Sequence, residues 1–180
     1  MPNASTPPEG RPLYTAEERA RRDRSVWTVV QGVLAPLQLL AFLVSVWLVL
    51  SFLQTGDGEN AATISIVIKT LFLYAIMVTG AIWEKEVFGV WLFAPSFFWE
   101  DVVSMAVIAL HTAYLYAMLT GTLPVREQML LALIAYGTYV VNALQFFYKL
   151  YLARKGGALA PSEQTVLNNP AAQPAQMVDA

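Results

Sequence analysis

Four apolar runs, over 26–53, 61–83, 97–119 and 129–152, dominate the chain and are interrupted only sparsely by polar residues. A helix rising ~1.5 Å per residue needs ~20 residues to cross an apolar core ~30 Å thick, and each run exceeds that length. The pattern therefore predicts four transmembrane helices. The breaks between them, "QTGDGEN", "EKEVFGVWLFAPS" and "TGTLPVREQ", are short and rich in Gly, Pro, Asn and Asp. Short connections make consecutive helices antiparallel neighbours. The expected fold is all-α: a polytopic membrane protein built as a four-transmembrane-helix antiparallel bundle.

The flanks set the orientation. Residues 1–25 are Pro-rich and then charged, without the apolar core and cleavage site of a secretory signal, so the first span is itself the anchor. Arg11, Arg19, Arg21, Arg22 and Arg24 precede the first span, Lys85 lies in the second loop, and Lys149, Arg154 and Lys155 follow the last span. The outer loops hold Arg126 alone, with Lys69 inside a span. The positive-inside rule then makes both termini cytoplasmic. The expected organisation is a cytoplasmic arm over 1–25, a four-helix membrane domain over 26–153, and a disordered cytoplasmic tail over 154–180.

Composition agrees. The chain is 57% hydrophobic and 13% charged, against roughly 45–50% and about 25% in soluble domains, with a mean hydropathy of +0.51. A net charge of −2 and the lack of a basic, aromatic-rich patch argue against nucleic acid as a partner. The absence of cysteine excludes disulfides, thiolate metal sites and cysteine nucleophiles. With a single histidine, one chain cannot build a multi-histidine metal site or a bis-histidine haem.

The candidate chemistry is what the spans tolerate. The second span ends at Glu84, Lys85 and Glu86, and the third begins near Glu100 and Asp101, so four carboxylates meet at the cytoplasmic face. Acidic residues early in a helix sit well against its dipole, which is the bland account of the last two. A directional account competes with it. Glu100 and His111 are eleven residues apart, three turns plus about 20°, so both project from one face about 16 Å apart along the axis, with Ser104 and Tyr114 near the same line. Asp101 projects about 100° away from Glu100. Trp27, Gln31, Gln38 and Ser45 form a stripe on the first span, where Pro36 predicts a kink, and Tyr139, Asn142 and Gln145 form another on the fourth. Such amides serve either as interhelical glue or as the lining of a polar pocket open to the cytoplasm. Lys69 lies nine residues past the loop residue Asn60, near enough to the outer surface to snorkel. Trp83, Trp91, Phe93, Phe97, Phe98 and Trp99 crowd the second loop, as an interfacial aromatic belt or as a platform for a flat ligand.

The stretches "RPLYTAEERARRDRSVWTVVQGVLAPLQLLAFLVS", "IVIKTLFLYAIMVTGAIWEKEVFG", "LFAPSFFWEDVVSMAVIALHTAYL" and "YVVNALQFFYKL" closely resemble the 3-vinyl (bacterio)chlorophyllide hydratases of bacteriochlorophyll biosynthesis in phototrophic bacteria, also called 2-vinyl bacteriochlorophyllide hydratases. The likeness runs from about Arg11 to Arg154, and "AIWEKEVFG" and "FAPSFFWEDV" are its most unusual words. It implies addition of water to the C3 vinyl group of chlorophyllide a, or of its bacteriochlorin counterpart, giving a 1-hydroxyethyl group. That reaction requires no redox cofactor. The implied partners are a magnesium-tetrapyrrole substrate, the lipid bilayer and other enzymes of bacteriochlorophyll synthesis. The implied location is a bacterial inner or intracytoplasmic photosynthetic membrane.

On this sequence the expected roles are Glu100 as proton donor, Asp101 or Glu84 as the group that orients the attacking water, and His111 as axial ligand to the substrate's magnesium or as a second proton carrier. Gln38, Asn142, Gln145 and Trp99 are expected to line the pigment site. Arg24, Lys149 and Arg154 are candidates for its carboxylate, although topology and lipid attraction also account for them. The competing functions are a non-catalytic pigment carrier or assembly factor, and a proton path along the Glu100–His111 line.

Overall fold

A computed structural model of the chain describes residues 13–167, with side chains described through Leu152. Five helices follow in order: α1 Ala16–Arg24, α2 Val26–Thr55, α3 Glu59–Phe88, α4 Phe98–Thr120 and α5 Val125–Leu167. The last four contain stretches long and apolar enough to cross a membrane, that of α5 being Val125–Leu152. The molecule is an all-helical, multi-pass membrane protein. The backbone of α5 continues past this stretch, while the tail expected over 154–180 lies largely outside the described residues.

Local chemistry explains the boundaries. Ser25 caps α2 by accepting from the Trp27 amide at 3.2 Å. Gly56 ends the helix in the left-handed region at φ 81, a conformation that side chains with a Cβ rarely adopt. Gly89 ends α3 in the same way and donates its N–H to Lys85 at 3.1 Å. Pro95 and the turn at Phe97 start α4, with Glu100 and Asp101 in its first turn. Helix α2 passes through Pro36 without interruption.

Helix α1 was not anticipated in the N-terminal arm. A reciprocal capping box starts it: the Thr15 hydroxyl accepts from the Glu18 amide at 3.2 Å, and the Glu18 carboxylate accepts from the Thr15 amide at 2.7 Å. The helix docks on the end of α3, where the Arg21 guanidinium donates to the Val87 carbonyl at 2.8 Å.

Helices α2 and α3 pack as one close pair and α4 and α5 as another, and the pairs meet more loosely along α2–α5 and α3–α4. Exposure is inverted relative to a water-soluble bundle. Leu40, Trp47, Val78, Leu119, Ile134 and Leu144 are exposed, whereas Gln38, Ser45, Lys69, Glu84, Glu100, Asp101 and His111 are buried. Lipid tails are as apolar as leucine, so helix association in a membrane rests on close packing and interhelical hydrogen bonds.

The polar stripes make those bonds. Gln31 donates to the Thr79 hydroxyl at 2.7 Å and the Ile76 carbonyl at 3.3 Å, and Trp83 donates to Thr28 at 2.9 Å, tying α3 to α2. Ser45 lies 2.6 Å from the Tyr136 hydroxyl and 2.8 Å from Ser65, joining α2, α5 and α3. Interhelical glue is thus the role of Gln31 and Ser45.

Candidate active site

Three of the four clustered carboxyl groups turn into the protein at the α1 end of the bundle: Glu84, Glu100 and Asp101 are 5%, 5% and 4% exposed. The fourth, Glu86, points toward the start of α2, where its carboxylate accepts from the Ser25 hydroxyl at 2.8 Å.

Glu84 on α3 and Asp101 on α4 face each other closely enough to share a hydrogen bond. Two carboxyl groups bond to one another only with a proton between them, because an ionised carboxylate has no donor. The α3–α4 loop closes over the pair. The Phe93 amide donates to Asp101 at 2.8 Å, and the Ala94 amide donates to Glu84 at 3.2 Å. To present its amide, Phe93 takes φ 60, a left-handed conformation that is costly for a bulky residue and persists where its surroundings enforce it.

Glu100, a third of a turn round the helix, faces α5. Its Oε1 lies 3.6 Å from the Lys149 ammonium, which also donates to the Ser96 carbonyl at the start of α4. Its Oε2 is buried without a hydrogen-bond partner among the described residues. The expected separation of Glu100 from Asp101 is therefore found: the two adjacent carboxyls serve different neighbours. Asn142 binds beside them, donating to the Glu100 carbonyl at 2.9 Å and the Ser104 hydroxyl at 3.0 Å. Gln145, one turn nearer the α1 end, and Gln38 on α2 each bury an Oε1 without a partner.

The aromatic residues divide into two groups. Trp83, Phe88 and Phe97 pack with Tyr14 and Phe146 into a plug behind the loop, with the Tyr14 and Phe88 rings 5.7 Å apart. Phe93, Phe98 and Trp99 form an exposed cluster, with successive centroids 5.7 and 5.5 Å apart and Trp99 67% exposed. Trp99 thus stands outside the polar interior, on the bundle's surface.

One expectation is corrected. Lys69 does not snorkel: it is fully buried, its Nζ 2.7 Å from His111 Nε2 and 4.3 Å from the centre of the Tyr139 ring. Hydrogen bonds to an interior imidazole and the faces of aromatic rings replace the water that the amine would otherwise seek. His111, for its part, does not join the carboxylates. Its Nδ1 donates to the Val107 carbonyl at 2.7 Å, which leaves Nε2 as the acceptor, and that lone pair is taken by Lys69. Both ring nitrogens are engaged within the core, so the axial-ligand role finds no free lone pair in this arrangement.

The comparisons with known proteins agree with one another. The family model for 2-vinyl bacteriochlorophyllide hydratase matches residues 14–152, which include α1 to α4, the apolar part of α5 and every carboxyl group described above. A protein of that name from Rhodobacter capsulatus is 66% identical over 154 residues, covering 86% of this chain and 90% of the relative. Another of that name, from Cereibacter sphaeroides, is 63% identical over 154 residues, covering 86% and 95%. No solved structure gives a significant match. A single uninterrupted match that begins at Tyr14, in the plug, and ends with the apolar part of α5 leaves one assignment: this chain belongs to the 2-vinyl bacteriochlorophyllide hydratase family.

Proposed function

We propose that this protein adds water to the vinyl group of a chlorophyllide-type magnesium tetrapyrrole, producing a 1-hydroxyethyl substituent. The observation that carries the assignment of the site is the trio of buried carboxyl groups, with Asp101 and Glu84 bound by consecutive loop amides and Glu100 paired with Lys149. Hydration of an alkene needs both an acid and a base. A proton passes from the Glu84–Asp101 pair to the terminal vinyl carbon, and positive charge develops on the inner carbon and spreads into the macrocycle. Water attacks that carbon, and its proton passes to Glu100. General acid and general base catalysis each contribute typically ~10²–10⁴-fold.

This allotment exchanges the roles expected from the sequence. Glu100, held beside Lys149, is acceptor-only and suits the base, while the acid is the pair it was expected to assist. The exposed Phe93–Phe98–Trp99 cluster is the natural platform for the flat macrocycle, because the Phe93 backbone is bonded directly to Asp101. Stacking would then set the vinyl group against the acid pair. The scheme uses no redox cofactor, and the magnesium belongs to the substrate. Arginines of α1 and Lys149 gather at this end, which by the positive-inside rule is the cytoplasmic side of a bacterial inner membrane.

The direct test adds chlorophyllide a, and separately 3-vinyl bacteriochlorophyllide, to membranes containing this protein alone. Hydration removes the vinyl group from conjugation, so the long-wavelength band moves to the blue and the pigment gains the mass of one water. Pigment that binds without changing mass would overturn the assignment and leave a carrier.

A further inference from the structure

Among the described residues, three buried acceptors in the half of the bundle nearer α1 have no donor, and they come from three helices: Glu100 Oε2 on α4, Gln145 Oε1 on α5 and Gln38 Oε1 on α2. Helix register brings them together. Ser104 and Asn142 are bonded, so Glu100 and Gln145, each about one turn nearer the α1 end, lie level across α4 and α5. The Phe42 and Tyr139 rings are 4.9 Å apart, so Gln38, one turn nearer the α1 end than Phe42, lies level with Asn142. On α5, Asn142, Gln145 and Lys149 share one face. The three side chains therefore lie within about one turn of the same depth in the bundle, next to the Glu100–Lys149 ion pair.

Buried acceptors without donors are rare in folded proteins, and each such oxygen calls for a donor. A water fits: it donates its two hydrogens to Glu100 and to one glutamine oxygen, while the other glutamine, whose amide oxygen and nitrogen exchange places by a half-turn, donates to the water oxygen. We propose that Glu100, Gln145 and Gln38 hold the water molecule that attacks the vinyl-derived cation, with Gln145 and Gln38 as positioning residues and Glu100 as the group that takes its proton. Resting on the hydratase assignment, this deepens it by giving the second substrate a binding site. The chemistry balances: the acid pair supplies one proton to carbon, water supplies the C–O bond, and the proton it loses ends on Glu100.

The test separates capture of the cation from its formation. In D2O, protonation of the vinyl carbon followed by deprotonation places deuterium in unreacted substrate, whereas capture by water gives product. At initial rates, Gln145→Met and Gln38→Leu are each expected to slow product formation about tenfold, the loss of roughly one hydrogen bond. Deuterium exchange into the vinyl group should hold or rise, so the ratio of exchange to hydration increases about tenfold. Gln145→Asn, which keeps an amide and a smaller volume, provides a second test at that position should Gln145→Met not fold. A parallel fall in exchange and hydration, with the wild-type ratio kept in every folded variant, overturns the water site and returns these amides to packing. A wild-type protein that neither exchanges nor hydrates overturns the hydratase assignment itself.

Discussion

Lys69 Nζ lies 2.7 Å from His111 Nε2, closed into the bundle between α3 and α4. Among the described residues Lys69 makes no ion pair with a carboxylate; its other neighbours are the Tyr136 and Tyr139 rings, 5.2 and 4.3 Å from the nitrogen. The pair joins two helices that otherwise meet loosely, so it is a structural clamp in the middle of the membrane.

A double-mutant cycle exposes the clamp. Lys69→Met leaves the imidazole acceptor unpaired and His111→Phe leaves the amine unpaired, each costing about 1–3 kcal/mol. The double variant replaces both with apolar groups of similar size and should cost less than the sum by about 1–2 kcal/mol. Thermal unfolding in lipid nanodiscs provides the values, and strictly additive losses would show that the two side chains act independently.

Removing the acid and removing the base should differ in kind. Glu84→Gln and Asp101→Asn are expected to lower the hydration rate about 100-fold or more and to abolish deuterium exchange with it. Glu100→Gln should lower hydration comparably while exchange continues. Pigment binding, followed by absorbance, is expected to persist in all three. Loss of exchange in Glu100→Gln would reinstate it as the donor.

Lys149 holds Glu100 and the first turn of α4 together. Lys149→Met removes the partner of a buried carboxylate and should destabilise the protein by roughly 1–3 kcal/mol. Adding Glu100→Gln to that variant should recover part of the loss, because the uncompensated charge is then gone. A midpoint that falls further in the double variant would contradict the ion pair as drawn.

The surface aromatics should affect binding and little else. Trp99→Ala and Phe98→Ala each remove stacking contact worth about 0.5–1.5 kcal/mol, and KM should rise several-fold to about tenfold with kcat unchanged. Thermal stability should hold for Trp99→Ala, since that side chain is largely exposed already. An unchanged KM in both variants would send the pigment to another face.

Much of this was legible from residue order. The four spans follow from apolar length, and the meeting of Glu84 with Asp101 follows from their places at the ends of consecutive antiparallel helices. The 100° between Glu100 and Asp101 also foretold two separate environments. What stayed hidden depends on register between helices. Lys69 reads as a snorkelling cation because its depth is visible in the sequence, whereas the imidazole on another helix that meets it is not. The ion pair of Glu100 with Lys149 was obscure for the same reason: the long side chain reaches across from α5, and only docking decides whether it finds lipid, pigment or carboxylate. Helix α1 could have been found. Thr15 and Glu18 stand three apart in the pattern of a capping box, and the arginines after them serve both the helix and the topology.

The loop over the acid pair is held from both directions of the chain: Ser96 donates to the Leu13 carbonyl at 3.0 Å, and Lys149 donates to the Ser96 carbonyl. All three carboxyl groups have left the ribosome once α4 has been made, yet Lys149, Asn142 and Gln145 follow only with α5. A nascent polypeptide inserted through its third span therefore holds the acids without the cation that pairs with Glu100, and competence arrives with the final crossing of the bilayer.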